Sequence, residues 1–142
     1  MAQKVLVVDD EQQIRDVLEK FFKGEGYEVV TSSNGEKALE LVKRENPHVI
    51  ILDIKMPGID GIEVCRRLRA VGNCQSISII VLSASVDELT RAAEAGADDC
   101  VKKPVDLPSL SVRVKSVLSV RDLTDAKERT MAYLGGTTKT SR

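Results

Sequence analysis

The sequence predicts an α/β domain built on a doubly wound, five-stranded parallel sheet. Three observations carry this reading. Short β-branched apolar runs recur along the chain, an amphipathic helical pattern fills each gap between them, and polar residues gather where the runs end. At 142 residues the chain suits one compact domain, which buries roughly 70% of the surface of its unfolded chain.

The five runs are "KVLVVD" at 4 to 9, "EVVTS" at 28 to 32, "HVIILD" at 48 to 53, "ISIIVLS" at 77 to 83 and "DCVKK" at 99 to 103. Several are apolar at successive positions, as strands covered on both faces are. The first gap carries Ile14, Val17, Leu18, Phe21 and Phe22 on one helical face, ending near Gly24 and Gly26. Ala38, Leu39, Leu41 and Val42 mark a second helix after an Asn34 cap, and Ile62, Cys65 and Leu68 a third after Asp60. "DELTRAAEAG" reads as a short fourth helix with Asp87 as N-cap and Gly96 closing it, and a fifth begins after Pro108. Strict alternation of strand and helix implies right-handed crossovers with helices on both sheet faces. No sequence repeat is present.

Composition excludes several classes. With 21 Lys and Arg against 22 Asp and Glu, there is no global pull toward nucleic acid or an anionic membrane. Cys65, Cys74 and Cys100 are odd in number and form no C-x-x-C, so neither a disulfide framework nor a zinc site is expected. No apolar run approaches the roughly 20 residues of a membrane span. The opening "MAQKVLVVDDEQ" places acids where a secretory signal needs its apolar segment, so a cytoplasmic chain is expected.

Sheets of this kind bind ligands at the carboxyl ends of their strands, beside the point where strand order reverses. Asp9 and Asp10 follow the first strand, Asp53 ends the third, Ser83 the fourth and Lys103 the fifth, whereas the second offers only Thr31, Ser32 and Ser33. Three carboxylates in one crevice repel one another, and a hard divalent cation with oxygen ligands keeps them ionised. Mg²⁺ fits best, because it takes one or two carboxylates together with a phosphate oxygen. Lys103 offers a point charge and Ser83 a hydroxyl to such a phosphoryl group, and a carboxylate can itself be the nucleophile that accepts it.

At these residues the sequence resembles a response-regulator receiver domain of bacterial two-component signalling. The resemblance is carried by "VLVVDDEQQIR", "VIILDIKMPGIDG", "VLSAS" and "GADDCVKKPV", in that order, each ending a predicted strand. It implies the flavodoxin-like (βα)5 receiver fold over residues 1 to 121. It also implies that Asp53 is the phosphoacceptor, that Asp10 binds Mg²⁺ directly with Asp9 acting largely through water, and that the Lys55 carbonyl joins them. Ser83 would bond the phosphoryl group and change rotamer, Ala84 would contribute a backbone contact, and Lys103 would pair with the group as the switch closes. The Lys103-Pro104 peptide would be cis, and Gly58 and Gly61 would suit the turn into the third helix. Lys55 and Ser85, each two residues beyond a key position, would tune hydrolysis by steering the attacking water.

The chain departs from the family at two places. Cys100 stands where a Tyr or Phe swings with the hydroxyl switch, and Val105 follows Lys103-Pro104 where Phe is common. Phosphorylation chemistry should survive both, but an aromatic readout on helix 4, strand 5 and helix 5 is not expected. Other polar residues have plainer readings. Asp98 and Asp99 cap the turn into strand 5, His48 sits in a Pro47-containing loop away from the acidic edge, Cys65 packs on a helix face, Cys74 lies in a loop, and Cys100 is a small packing residue.

Leu110, Val114, Val117 and Leu118 would pack helix 5 on the sheet. Val120, Leu123, Thr130 and Leu134 extend an imperfect stripe without the sustained heptads of a coiled coil, and "LGGTTKTSR" reads as a flexible end. Residues 122 to 142 are therefore expected to prolong helix 5, either as the linker of a receiver cut from a larger regulator, the favoured reading, or as the tail of a single-domain protein. The mixture of Arg121, Lys127 and Arg129 with Asp122, Asp125 and Glu128 does not support a DNA-binding arm.

Two other function classes fit the sequence less well. A metal-dependent phosphatase would use the same Asp chemistry, but the chain has no cap insertion and no nucleotide-binding glycine motif. A phosphorylation-independent interaction module leaves the complete acidic set without a purpose. The expected function is a receiver that takes a phosphoryl group on Asp53 from a sensor histidine kinase or phosphotransfer protein, hydrolyses it, and switches conformation toward an output domain or effector protein. It is a signalling domain rather than an enzyme with an external substrate. A homodimer stays open; direct contact with nucleic acid or membrane is not expected.

Overall fold

A computed structural model describes residues 2–71 and 76–133, with side chains through Val120. The chain runs β1 (Lys4–Val8), α1 (Gln12–Gly24), β2 (Glu28–Ser32), α2 (Gly35–Glu45), β3 (Val49–Asp53), α3 (Gly61–Ala70), β4 (Ser78–Ser83), α4 (Val86–Glu94), β5 (Asp99–Lys102) and α5 (Leu107–Tyr133). All strands pair in parallel in the order β2-β1-β3-β4-β5. The chain winds outward from β1 in both directions, so the strand order reverses between β1 and β3.

Side-chain alternation along each strand divides the core in two. Leu6, Val8, Ile50, Leu52, Ile79 and Val81 face α2, α3 and α4, where they meet Leu41, Val42, Ile62, Cys65, Leu68 and Ala92. Val5, Val7, Val49, Ile51, Ile80 and Leu82 face α1 and α5, meeting Leu18, Phe22, Leu110, Val114 and Leu118. The apolar-at-every-position reading of the central strands follows from this, since β3 and β4 are buried throughout.

The helix boundaries follow from local chemistry. Asn34 caps α2 by accepting from the Lys37 N–H at 2.8 Å, and Asp60 caps α3 by accepting from Glu63 at 2.9 Å. Asp87 does not cap α4. Ser85 does, its Oγ accepting from the Glu88 N–H at 3.3 Å, while Asp87 lies exposed inside the first turn. The S-x-x-E spacing of "SVDE" identifies this start, and two adjacent acids drew the reading to the wrong residue. Helix α5 likewise begins at Leu107, one residue before Pro108, with the Asp106 carboxylate accepting from Ser109. Proline is tolerated there because first-turn N–H groups have no partner within the helix. The backbone of α5 continues past residue 121 to Tyr133. Val120 is exposed, whereas the Leu123 and Thr130 side chains, Cys74, Leu134 and the "LGGTTKTSR" end lie outside what the structure describes.

Arg69 joins three elements at the amino end of β4. Its guanidinium donates to the Gly96 carbonyl at 2.9 Å, the Ile77 carbonyl at 2.8 Å and Asp98 Oδ2 at 2.7 Å, and the same Asp98 oxygen accepts from the Ile79 N–H. Asp98 thus reaches across to β4 rather than capping the turn into β5. Asp99 does bond the next N–H, that of Cys100, and also pairs with Arg113 of α5 at 2.9 Å. Replacing Arg69 with Ala takes a donor from the Gly96 and Ile77 carbonyls and the counter-charge from Asp98, so urea denaturation should show a loss of about 2 kcal/mol. An unchanged midpoint would mean that water replaces the guanidinium without cost.

Candidate functional site

The carboxyl edge of the sheet at the β1/β3 reversal collects the predicted residues. Asp9 leaves β1, its N–H donating to the Ser32 carbonyl at 3.1 Å, while Arg15 of α1 donates to the Asp9 carbonyl at 2.7 Å. Asp53 is the last residue of β3, and the Gly61 N–H returns to the Ile54 carbonyl at 2.8 Å to fold the following loop back. The two loop glycines serve different needs. Gly58 adopts φ +80°, whereas a Cβ on Gly61 would stand 2.3 Å from the Asp53 carbonyl oxygen.

Carboxylate oxygens of Asp9, Asp10 and Asp53 all lie within 4.8 Å of one another. Asp9 and Asp53 are buried and Asp10 is exposed. Lys103, entering from the end of β5, donates to Asp53 Oδ1 at 2.7 Å. The Lys103-Pro104 peptide is cis. Asp9 Oδ1 accepts from the Glu11 N–H at 2.9 Å, but its Oδ2 is buried with no hydrogen-bond partner among the described residues.

That orphaned oxygen fits a cation. Burial pushes the Asp9 carboxyl above its ordinary value; the Glu11 N–H and the Lys103 charge oppose this, and the charges of Asp53 and Asp10 add to it. Burial raises Asp53 as well, even against the hydrogen bond and charge of Lys103. Lys103 is lowered by burial, yet its bond to Asp53 and the surrounding acidic charge raise it overall. Three acids and the Lys103 ammonium leave the pocket under-neutralised, a charge balance that a divalent cation would complete.

The other predicted residues occupy the rim. Ser83 is buried and its Oγ donates to the Ser85 carbonyl at 3.2 Å, while the Lys103 N–H donates to the Ser83 carbonyl at 2.7 Å. The Ala84 N–H, expected to contact a phosphoryl group, donates to Glu88 Oε1 at 2.9 Å. Lys55 is exposed, with Nζ 3.9 Å from Glu88 Oε2. Cys100 lies in β5, partly buried, its thiol aimed at the Leu89 carbonyl at 3.8 Å, and burial raises its pKa, as it does that of Cys65 to about 11. His48 stands at the opposite end of β3, where its Nδ1 accepts from the Lys4 N–H at 2.9 Å. Thr31, Ser32 and Ser33 contribute no carboxylate to the edge, and Ser32 is engaged in the β2–α2 turn. Sequence reasoning passed over Glu88 and Arg15; the S-x-x-E spacing could have found the first, while a long-range bond to a backbone carbonyl leaves no sequence signal for the second.

Because the folded Asp9 pKa is raised, the folded chain takes up a proton before the unfolded chain does, and the penalty of this buried charge is present above that value. Without metal, Asp9→Asn should therefore stabilise the chain by about 1 kcal/mol near neutrality. The advantage should shrink as pH falls through the raised Asp9 value, and excess Mg²⁺ should stabilise the native sequence more than the variant. Denaturation curves at several pH values check this, and a destabilised variant at neutral pH would contradict it.

Comparison with known proteins agrees with this geometry. A family model described as "Response regulator receiver domain" matches residues 5–115. The chain is 38% identical over 125 residues to the response regulator MprA of Mycobacterium leprae (strain TN), covering 88% of this chain and 55% of that protein. It is 43% identical over 120 residues to a protein of Porphyra purpurea described as "Probable transcriptional regulator ycf27", covering 84% of this chain and 49% of the relative. The chain thus spans about half the length of these curated relatives. Among solved structures, a CheY-like receiver domain protein from Methanospirillum hungatei JF-1 superposes with a TM-score of 0.81 at 25% identity, covering 87% of this chain and 99% of that one. The receiver domain of Francisella response regulator 1452 gives 0.76 at 32% identity, covering 82% and 97%. By fold, by the order of its motifs and by these matches, the chain belongs to the response-regulator receiver family of two-component signalling.

Proposed function

We propose that Asp53 accepts a phosphoryl group from the phosphohistidine of a sensor histidine kinase or phosphotransfer protein. The observation that supports this most directly is the convergence of Asp9, Asp10 and Asp53 around a lysine already bonded to Asp53 Oδ1. An Asp53 carboxylate oxygen attacks phosphorus, the P–O bond forms as the P–N bond breaks, and the imidazole leaves with the electron pair. Asp9 and Asp10, with the Lys55 carbonyl and Asp53 itself, would hold Mg²⁺, which supplies positive charge to the phosphoryl oxygens when bound. Lys103 sits where it neutralises one further oxygen, and Ser83 reaches the group once its hydroxyl leaves the Ser85 carbonyl. Water then attacks phosphorus, returning Asp53 and inorganic phosphate, with Lys55 and Ser85 tuning that step from the rim.

The new charge on Asp53 shifts a pre-existing equilibrium between inactive and active conformations by drawing Ser83 and Lys103 inward. Residues 1 to 121 act as the receiver, and the prolonged α5 from residue 122 serves as a linker toward an output domain or effector. The chain works in the cytoplasm, and a homodimer is compatible with this scheme. Among the described residues, no helix is long and apolar enough to cross a membrane.

Intact mass after incubation with Mg²⁺ and acetyl phosphate tests the assignment. One phosphoryl adduct is expected, absent without metal and absent in Asp53→Asn. An adduct that persists in Asp53→Asn would place the acceptor elsewhere.

A further inference from the structure

One buried carboxylate next to the acidic site has no role in the scheme above. Glu88, in the first turn of α4, is 7% exposed. Its N–H donates to Ser85 Oγ and its own Oε1 accepts from the Ala84 N–H at 2.9 Å, which makes a reciprocal cap. In the ordinary capping box the carboxylate returns to the N–H of the N-cap residue. Here it reaches one residue further, to the N–H directly after Ser83. In the β3–β4 register Leu82 lies opposite Asp53, so this N–H belongs to the turn that leaves the same sheet edge, and the phosphoryl reading needs it as a donor.

The neighbouring donor is turned the same way. Ser83 Oγ donates to the Ser85 carbonyl, so both groups that a phosphoryl oxygen would use are occupied by the amino-terminal turn of α4. Glu88 Oε2 also approaches Lys55 Nζ at 3.9 Å, linking the turn after β4 to the turn after β3. With Lys55 79% exposed on its side chain, this ion pair contributes little. The buried, charge-assisted N–H bond is the stronger hold.

We propose that Glu88 is a positioning residue that keeps the unphosphorylated site closed, its carboxylate occupying the Ala84 N–H as an internal anion that an incoming phosphoryl oxygen must displace. The inference rests on the reading of Asp53 as phosphoacceptor. Two consequences follow. The binding-competent state is only fractionally populated, so apparent affinity for phosphodonor is reduced by that fraction. Phosphorylation also undoes two contacts at the start of α4 at once. A chain that carries Cys100 in β5, with no ring to swing, thereby has a route from Asp53 to α4 that needs none.

The test uses the full chain with Glu88→Gln and Glu88→Ala, following acetyl phosphate labelling across donor concentrations together with thermal melting. Gln keeps an acceptor for the cap and removes the competing charge. Its labelling at low donor should rise roughly three- to tenfold, the change appearing in KM more than in kcat, with the melting temperature nearly unchanged. Ala should label at least as fast while melting lower. A residue that only caps α4 would lower melting in Ala and leave both labelling rates unchanged. Native labelling with rates equal or slower in both variants would overturn the Glu88 assignment and leave the receiver reading standing. Absence of any Mg²⁺-dependent label on the native chain would overturn that reading, and this assignment with it.

Discussion

The structure depends on one electrostatic constraint: three carboxylates are held at the edge of an apolar parallel sheet, two of them buried, with a single ammonium among them. A buried carboxylate without full compensation costs several kcal/mol in ordinary protein surroundings. The fold imposes this arrangement through strand pairing. Val8 lies opposite Leu52, so Asp9 and Asp53, the next residues, emerge side by side where the strand order reverses. The two apolar layers that cover the sheet supply the stability against which the cost is set.

The rim turns that strain toward signalling. Lys103 is fixed on Asp53, Ser83 on the Ser85 carbonyl and Ala84 on Glu88, so each group that could meet a phosphoryl oxygen already has a partner within the chain. In the proposed scheme, switching is an exchange of partners rather than the filling of open positions. Such an exchange biases a two-state equilibrium only by the difference between old and new bonds, which keeps it reversible. The sequence carries Cys100 and Val105 at the two positions where the resemblance led us to expect rings, and the proposed scheme routes the signal from Asp53 through the α4 turn.

Much of this was legible in the sequence because the signals are local. Short β-branched apolar runs located every strand within one residue, since each central strand is covered on both faces. The Asp9, Asp10, Asp53, Ser83 and Lys103 set was readable because strand ends are positions that topology brings together. What could not be read depends on where side chains point. Asp98 looks like a turn cap in sequence but crosses to the Ile79 N–H and Arg69. The S-x-x-E spacing marks Glu88 rather than Asp87 as the partner of the Ser85 cap, but only the fold shows that its carboxylate reaches the Ala84 N–H. The prolongation of the α5 backbone to Tyr133 was readable as a helix.

The central claim is that the acidic cluster is a cation site whose cost is relieved by binding. Titration of the metal-free chain with Mg²⁺, followed by backbone amide shifts, tests it most directly. One site should appear, with the largest shifts at the ends of β1 and β3, and Asp10→Asn should weaken binding by at least about tenfold. Shifts scattered over the surface, or equal binding by Asp10→Asn, would contradict the account.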